Sequence, residues 1–373
     1  MKQLLRRVLK ALFCLLVPIR RYILLESIPD FSDNTKAVFD EMIRRGLNRK
    51  YKLVWWLDKE DAVCPDLPNV IGVYDDRKLQ YYRRRARCLI SCNRFLVPFR
   101  RGQVAIYLSH GTAVKSTKDY YTIPESIDWF VVASEAMLPI QCYELNFDPA
   151  KTVALGFPRN DVFAEAKIDI KACLQTDCDK VIAWYPTFRQ HHGGLKTGCE
   201  NALPLLHDVD KARELNEVAR KASVLLVIKP HFAQDVSYIK DLNLSNIRFI
   251  DDAFYVANGI TSYAFLSACD ALITDYSSVY YDYTLCGKPI AAVWEDIEAY
   301  KAKPGLIADY EYYLRGAEKI YSVSELEAFV CRVATGTDLR KVERESVMRE
   351  TNLANDGHNA ARVVDFTIDA AKL

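Results

Sequence analysis

The sequence predicts an α/β protein with a parallel, helix-covered sheet in each half of the chain. Three observations carry this. Short apolar runs recur along the 373 residues, each followed by polar or helically periodic sequence. The residues with usable chemistry fall just after those runs, where open α/β sheets bind their ligands. Half of the residues are hydrophobic and 27% are charged, enough core for two domains and too much for a disordered chain.

Residues 1–22 come first. Lys2, Arg6, Arg7, Lys10, Arg20 and Arg21 lie here without an acid, in a chain whose formal net charge is only +1. The apolar run 11–17 is shorter than the roughly 20 residues of a membrane span, and no small-residue cleavage site follows it. Leu4, Leu5, Val8, Leu9, Leu12, Phe13, Leu15 and Leu16 make one broad apolar face. The expectation is an amphipathic helix lying on the anionic cytoplasmic leaflet, with no crossing of the membrane.

The first strand is expected at 23–25, ending in Glu26-Ser27. Asp33, Asn34 and Thr35 begin a helix that runs to about 45, and Gly46 ends it. Strands follow at 51–57, 70–73 and 88–90. Arg83, Arg84, Arg85 and Arg87 precede the last of these and read as a solvated helix face. The strand at 104–108 leads into Ser109-His110-Gly111-Thr112-Ala113-Val114-Lys115. The strand at 129–133 leads into Ser134-Glu135, and that at 152–155 into Gly156-Phe157-Pro158-Arg159-Asn160-Asp161. Residues 164–180 turn polar without a pattern, and the domain boundary is placed there.

The second half repeats the plan. A strand at 181–184 leads into Tyr185-Pro186-Thr187-Phe188-Arg189, followed by a loop with His191 and His192. A helix around 209–222 precedes a strand at 224–228 that ends in Lys229-Pro230-His231, and a strand at 248–250 ends in Asp251-Asp252. Residues 270–290 read as a complete strand–turn–helix–strand unit. Residues 271–274 are a buried strand and Asp275-Tyr276 the turn. Ser277 or Ser278 is expected to cap a short helix with Val279, Tyr283 and Cys286 on one stripe. Gly287 stops that helix, and the next strand is 290–293. A final helix is expected at about 358–371.

His110, Arg159, Arg189, Lys229, His231, Asp275 and the two serines thus all follow strands. Taken singly, each reads equally well as a turn or a cap. Together they are a phosphate-handling set of cations, hydroxyls and a helix start. A histidine of ordinary pKa, about 6.5, can take a proton from an attacking hydroxyl. No GxxxxGK[ST] loop is present, which speaks against a P-loop nucleotidase. The 11 cysteines are scattered in apolar runs without a CxxC pair, as in a cytoplasmic protein with reduced thiols, and no zinc-ligand spacing occurs.

These elements resemble, in order, those of the CDP-glycerol glycerophosphotransferase family, the primases and polymerases of teichoic acid and related capsule synthesis. His110 to Lys115 resembles the family's HGT-x-x-K, Gly156 to Asp161 its G-[YF]-P-R-N-D, Tyr185 to Arg189 its A-P-T-[FW]-R, Lys229 to His231 its [RK]-x-H, and Asp270 to Ser278 its D-x-[LI]-I-T-D-Y-S-S. Glu26-Ser27 and Ser32-Asp33-Asn34 resemble its opening. Ser109, Ala113-Val114 and Tyr185 depart from the usual pattern. The resemblance implies a GT-B-like pair of Rossmann-type domains with a cleft between them: an acceptor domain at 23–165, a donor domain at 175–345, and a C-terminal helical segment at 346–373 packing back on the first. It implies transfer of an alditol phosphate from CDP-glycerol or CDP-ribitol to a hydroxyl of a lipid-linked or polymeric acceptor, releasing CMP. His110 is then the general base and His231 the second catalytic histidine. Ser277, Ser278, Asp275, Arg159, Asn160, Thr187, Arg189 and Lys229 are expected on the donor, and Gly111, Thr112 and Lys115 on the acceptor side. No cofactor, metal or nucleic acid is expected, and residues 1–21 are expected to hold the enzyme to the membrane. The alternatives are a nucleotide-sugar glycosyltransferase on the same architecture and a non-catalytic membrane-associated binding subunit.

Overall fold

A computed structural model describes residues 14, 16–119, 121–165, 167–187, 203–230, 236–302 and 305–373. The amphipathic helix expected at 1–22 lies for the most part outside the described residues.

Thirteen strands are described. β1 (Tyr22–Glu26), β2 (Lys52–Trp56), β3 (Val70–Val73), β4 (Cys88–Ser91), β5 (Val104–Tyr107), β6 (Trp129–Val132) and β7 (Thr152–Ala154) form one sheet in the order β3-β2-β1-β4-β5-β6-β7. β8 (Lys180–Trp184), β9 (Val224–Ile228), β10 (Ile247–Phe249), β11 (Ala271–Thr274), β12 (Ile290–Val293) and β13 (Glu318–Ile320) form a second, in the order β10-β9-β8-β11-β12-β13. Every neighbouring pair is parallel. Both orders are doubly wound, of Rossmann type, with the reversal between β1 and β4 in one sheet and between β8 and β11 in the other.

The strands are parallel because they are buried on both faces, which near-continuous apolar runs permit. Within β1, Ile23 and Leu25 enter one core layer and Leu24 the other, as the two-residue period of a strand requires. Ile182 and Trp184 of β8 likewise oppose Val181 and Ala183.

The chain divides into two compact units, one of residues 1–112, 121–161 and 356–373, the other of 113–120 and 162–355. The chain passes from the first to the second just ahead of the polar stretch 164–180. Residues 113–120 belong to the second unit, where Val114 joins the core and Ser116 N donates to Gly305 O at 3.1 Å. The helix Lys341–Thr351 also belongs there, with Val347 in the core. The helix Asn359–Ala371 belongs to the first unit. Its Val363 and Val364 join the layer of Val38, Phe39 and Met42 from the helix Asp33–Arg44, and Asp365 pairs with Arg45.

Candidate active site

In the first unit the exits of β1, β4 and β5 converge at the reversal of strand order. Glu26 ends β1 with its side chain wholly buried. Its Oε2 accepts from the backbone N–H of Asn93 (3.2 Å) and Arg94 (3.0 Å), just past β4. Its Oε1 is buried without a hydrogen-bond partner among the described residues. Burial pushes the carboxyl pKa up to about 7, against the pull of those N–H groups and of the Arg94 guanidinium.

His110 follows β5 and is exposed. It sits between two residues of positive φ, Ser109 at 57° and Gly111 at 147°. Side chains from three other elements hold the carbonyls of this turn. Asn34 Nδ2 donates to Ser109 O at 3.0 Å, Arg159 Nη1 to His110 O at 2.8 Å, and Gln141 Nε2 to Gly111 O at 3.2 Å. The Ser109 hydroxyl also donates to Gly111 O, at 3.2 Å. Arg159 Nη1 pairs with Asp33 Oδ1 at 2.7 Å, and Arg159 N donates to Asn34 Oδ1 at 3.2 Å.

The Gly156–Asp161 stretch explains its own residue types. Gly156 has φ 78°, and a Cβ there would stand 1.9 Å from Asn359 Oδ1, so only glycine fits. Phe157 and Asn160 are buried. Asp161 accepts from Asn359 N and Ala360 N, both at 2.8 Å, at the start of the C-terminal helix. Arg159 and Asn160, expected on the donor, therefore lie in the first unit with side chains turned inward; the Arg159 side chain is 7% exposed.

In the second unit the reversal lies between β8 and β11, and Thr187 and Asp275 meet there. Asp275 is 1% exposed. Its two oxygens accept from Thr187 N at 3.0 and 2.9 Å, the Thr187 hydroxyl donates to Oδ1, and Tyr276 N donates to Oδ1 at 2.6 Å. Thr274 Oγ1 donates to Tyr185 O at 2.9 Å. These bonds staple the two strand exits together. Asp275 and Thr187, expected as donor ligands, thus hold each other. Tyr276 is buried, stacks on Tyr300 with centroids 4.0 Å apart, and donates to Asp296.

Ser277 and Ser278 are partly exposed above this staple. The helix that follows, Val279–Tyr283, has Ser278 at its N-cap without a side-chain cap bond, and Ser277 Oγ stands at the long limit of 3.5 Å from Val279 N. Of the two serines expected to cap, Ser277 does so through this one long bond and Ser278 does not. Ser278 already has helical dihedrals (φ −60°, ψ −20°), whereas a capping side chain folds back from an extended residue. Lys229 Nζ lies 3.1 Å from Asp252.

Gly111 and Thr112 stay with His110 in the first unit, Thr112 buried, while Lys115 falls in the second and forms a β-bridge with Leu306. Arg189, His231, His191 and His192 lie outside the described residues. Glu26, Asp33, Asn34 and Gln141 were not among the expected site residues. The signal available for Asn34 and Gln141 was a polar side chain on the inward face of an otherwise apolar helix.

A family model described as CDP-Glycerol:Poly(glycerophosphate) glycerophosphotransferase matches residues 11–369. The teichoic acid glycerol-phosphate primase of Bacillus subtilis (strain 168) is 22% identical over 364 residues, covering 90% of this chain and 89% of the primase. The teichoic acid ribitol-phosphate polymerase TarL of Staphylococcus aureus is 24% identical over 78% of this chain and 53% of its own, about half its length. A solved structure of the wall teichoic acid polymerase TagF, a variant soaked with CDPG, superposes with a TM-score of 0.75 at 20% identity, covering 97% of this chain and 93% of that one. That likeness is one of fold: two parallel Rossmann-type sheets in the GT-B-like manner.

Proposed function

The chain belongs to the CDP-glycerol:poly(glycerophosphate) glycerophosphotransferase family, and from that premise we propose that it transfers glycerol phosphate, or a related alditol phosphate, from a CDP-alditol to a hydroxyl of a lipid-linked or polymeric acceptor in teichoic-acid-like synthesis. The observation that carries this reading is His110, exposed on a turn whose carbonyls are held from three sides at the carboxyl edge of the first sheet. The acceptor oxygen attacks the phosphorus that bears the alditol. A new O–P bond forms, the bridging O–P bond of the diphosphate breaks, and CMP leaves with that electron pair. His110 takes the proton of the attacking hydroxyl, with Gly111 beside it on the acceptor side.

The second unit holds the donor in this reading. The Thr187–Asp275 staple fixes the turn below Ser277 and Ser278, and those hydroxyls, Ser277 with one long capping bond and Ser278 with none, bind the diphosphate together with Lys229. His231 and Arg189 join them by motif. The enzyme works at the cytoplasmic membrane surface, held peripherally by the basic segment 1–21. Six cations without an acid support this, and no helix among the described residues is long and apolar enough to cross a membrane.

The test is incubation with labelled CDP-glycerol, CDP-ribitol and nucleotide sugars, with and without membranes, while following the released nucleotide. CMP release that falls about 100- to 10,000-fold in His110→Ala, and also in His231→Ala, is expected. Full activity in either variant removes that histidine from its role. Release of a nucleoside diphosphate with transfer of a sugar identifies a glycosyltransferase instead.

A further inference from the structure

We propose that Arg159, together with Asn34 and Gln141, is a positioning residue for the His110 imidazole and does not bind the donor; this rests on the reading of His110 as the base. Ser109, His110 and Gly111 expose three successive carbonyls, and each is held by a side chain from a different part of the first unit. Asn34 comes from the helix Asp33–Arg44 after β1, Gln141 from the helix Leu138–Glu144 after β6, and Arg159 from the turn after β7. A serine does not adopt the left-handed φ of Ser109 for local reasons, so the turn depends on these distant donors. Arg159 does most. One nitrogen, Nη1, bonds both Asp33 and His110 O, and its main-chain N–H bonds Asn34, which in turn holds Ser109.

A phosphate ligand of Arg159 would have to enter beside Asp33, 2.7 Å from Nη1, and reach a side chain that is only 7% exposed. The arrangement suits a different task. A general base works only when its nitrogen meets the attacking hydroxyl within hydrogen-bond reach, and a displacement of about 1 Å costs on the order of 100-fold in rate. An exposed histidine cannot be held by core packing. Here the main chain beneath it is held by its carbonyls.

The full-length protein decides this through a comparison of binding and turnover. Binding of CDP-glycerol is measured by calorimetry, and kcat and KM in the transfer assay, for Arg159→Gln, Gln141→Met and His110→Ala. Positioning predicts CDP-glycerol Kd within about twofold of wild type in all three, kcat lowered roughly 100-fold by Arg159→Gln and less by Gln141→Met, and partial recovery in Arg159→Lys, which keeps the charge beside Asp33. Gln141→Met leaves every charge in place and removes a single donor, so it reads the same effect if Arg159→Gln fails to fold. CDP-glycerol binding weakened tenfold or more by Arg159→Gln, with Gln141→Met at wild-type kcat, overturns the positioning role while His110→Ala remains inactive. Full activity in His110→Ala overturns the reading of the base itself, and the positioning role with it.

Discussion

Glu26 shows how a single buried carboxyl ties pH to stability. Burial lifts its pKa from 4.5 to about 7 in the folded protein. Between those two values the folded state holds a proton that the unfolded state has released. The group therefore favours folding at low pH, and that advantage is lost as pH rises through about 7. The penalty above pH 7 is on the order of 3 kcal/mol. In Glu26→Gln the amide oxygen still accepts from Asn93 and Arg94, and no charge is buried. This variant is expected to be more stable than wild type at pH 8 and to lose the fall in melting temperature between pH 5 and 8. An unchanged pH profile in the variant would assign that fall to other groups. At the same scale, Asp275 and Thr187 illustrate how two motif residues can hold each other across a sheet. Their carboxylate and N–H groups are engaged with each other across 88 residues of sequence.

Two helix starts in the second unit separate capping from binding. Ser322 begins the helix Val323–Thr335 with a full capping box, its hydroxyl accepting from Glu325 N at 3.3 Å and Glu325 Oε2 accepting from Ser322 N at 3.1 Å. Ser278 begins the helix Val279–Tyr283 with no cap bond from its side chain. Ser322→Ala should cost about 1 kcal/mol of stability and leave KM for the CDP-alditol unchanged. Ser278→Ala should leave stability within about 0.5 kcal/mol and raise KM. Urea melts and steady-state kinetics on both variants check this, and the reverse pattern would return Ser278 to a capping role. The same contrast shows what the sequence left hidden. The Ser322-x-x-Glu325 signature and the apolar run behind it were a legible helix start that the sequence expectations passed over. β13 was not legible, because a three-residue edge strand with two charged residues offers no apolar run.

At the scale of the whole molecule, two doubly wound sheets carry the candidate site residues just past their strand ends, and a basic leader precedes the first. If the leader holds the enzyme on an anionic surface, deletion of residues 1–18 should release it from anionic vesicles in a flotation assay while leaving hydrolysis or transfer with soluble acceptors intact. Binding of the full chain should fall as salt rises. Equal flotation of the truncated and full-length proteins would assign attachment to another surface, such as the arginines near β4.

The sequence by itself determined every described strand but β13 to within a residue or two, their grouping into two parallel-sheet halves, and the strand ends where His110, Asp275 and the serines stand. Those features are local: a strand buried on both faces must be an apolar run, and its end must be a polar turn. Tertiary structure alone decided what the polar residues do. Arg159 meets Asp33 across 126 residues, and Val114 enters the core of the second unit although it follows a strand of the first. A buried guanidinium or carboxylate takes whichever partner the crossing chain brings within about 3 Å. No periodicity in the sequence records that choice, because it is made by how the helices and loops pack around the sheets.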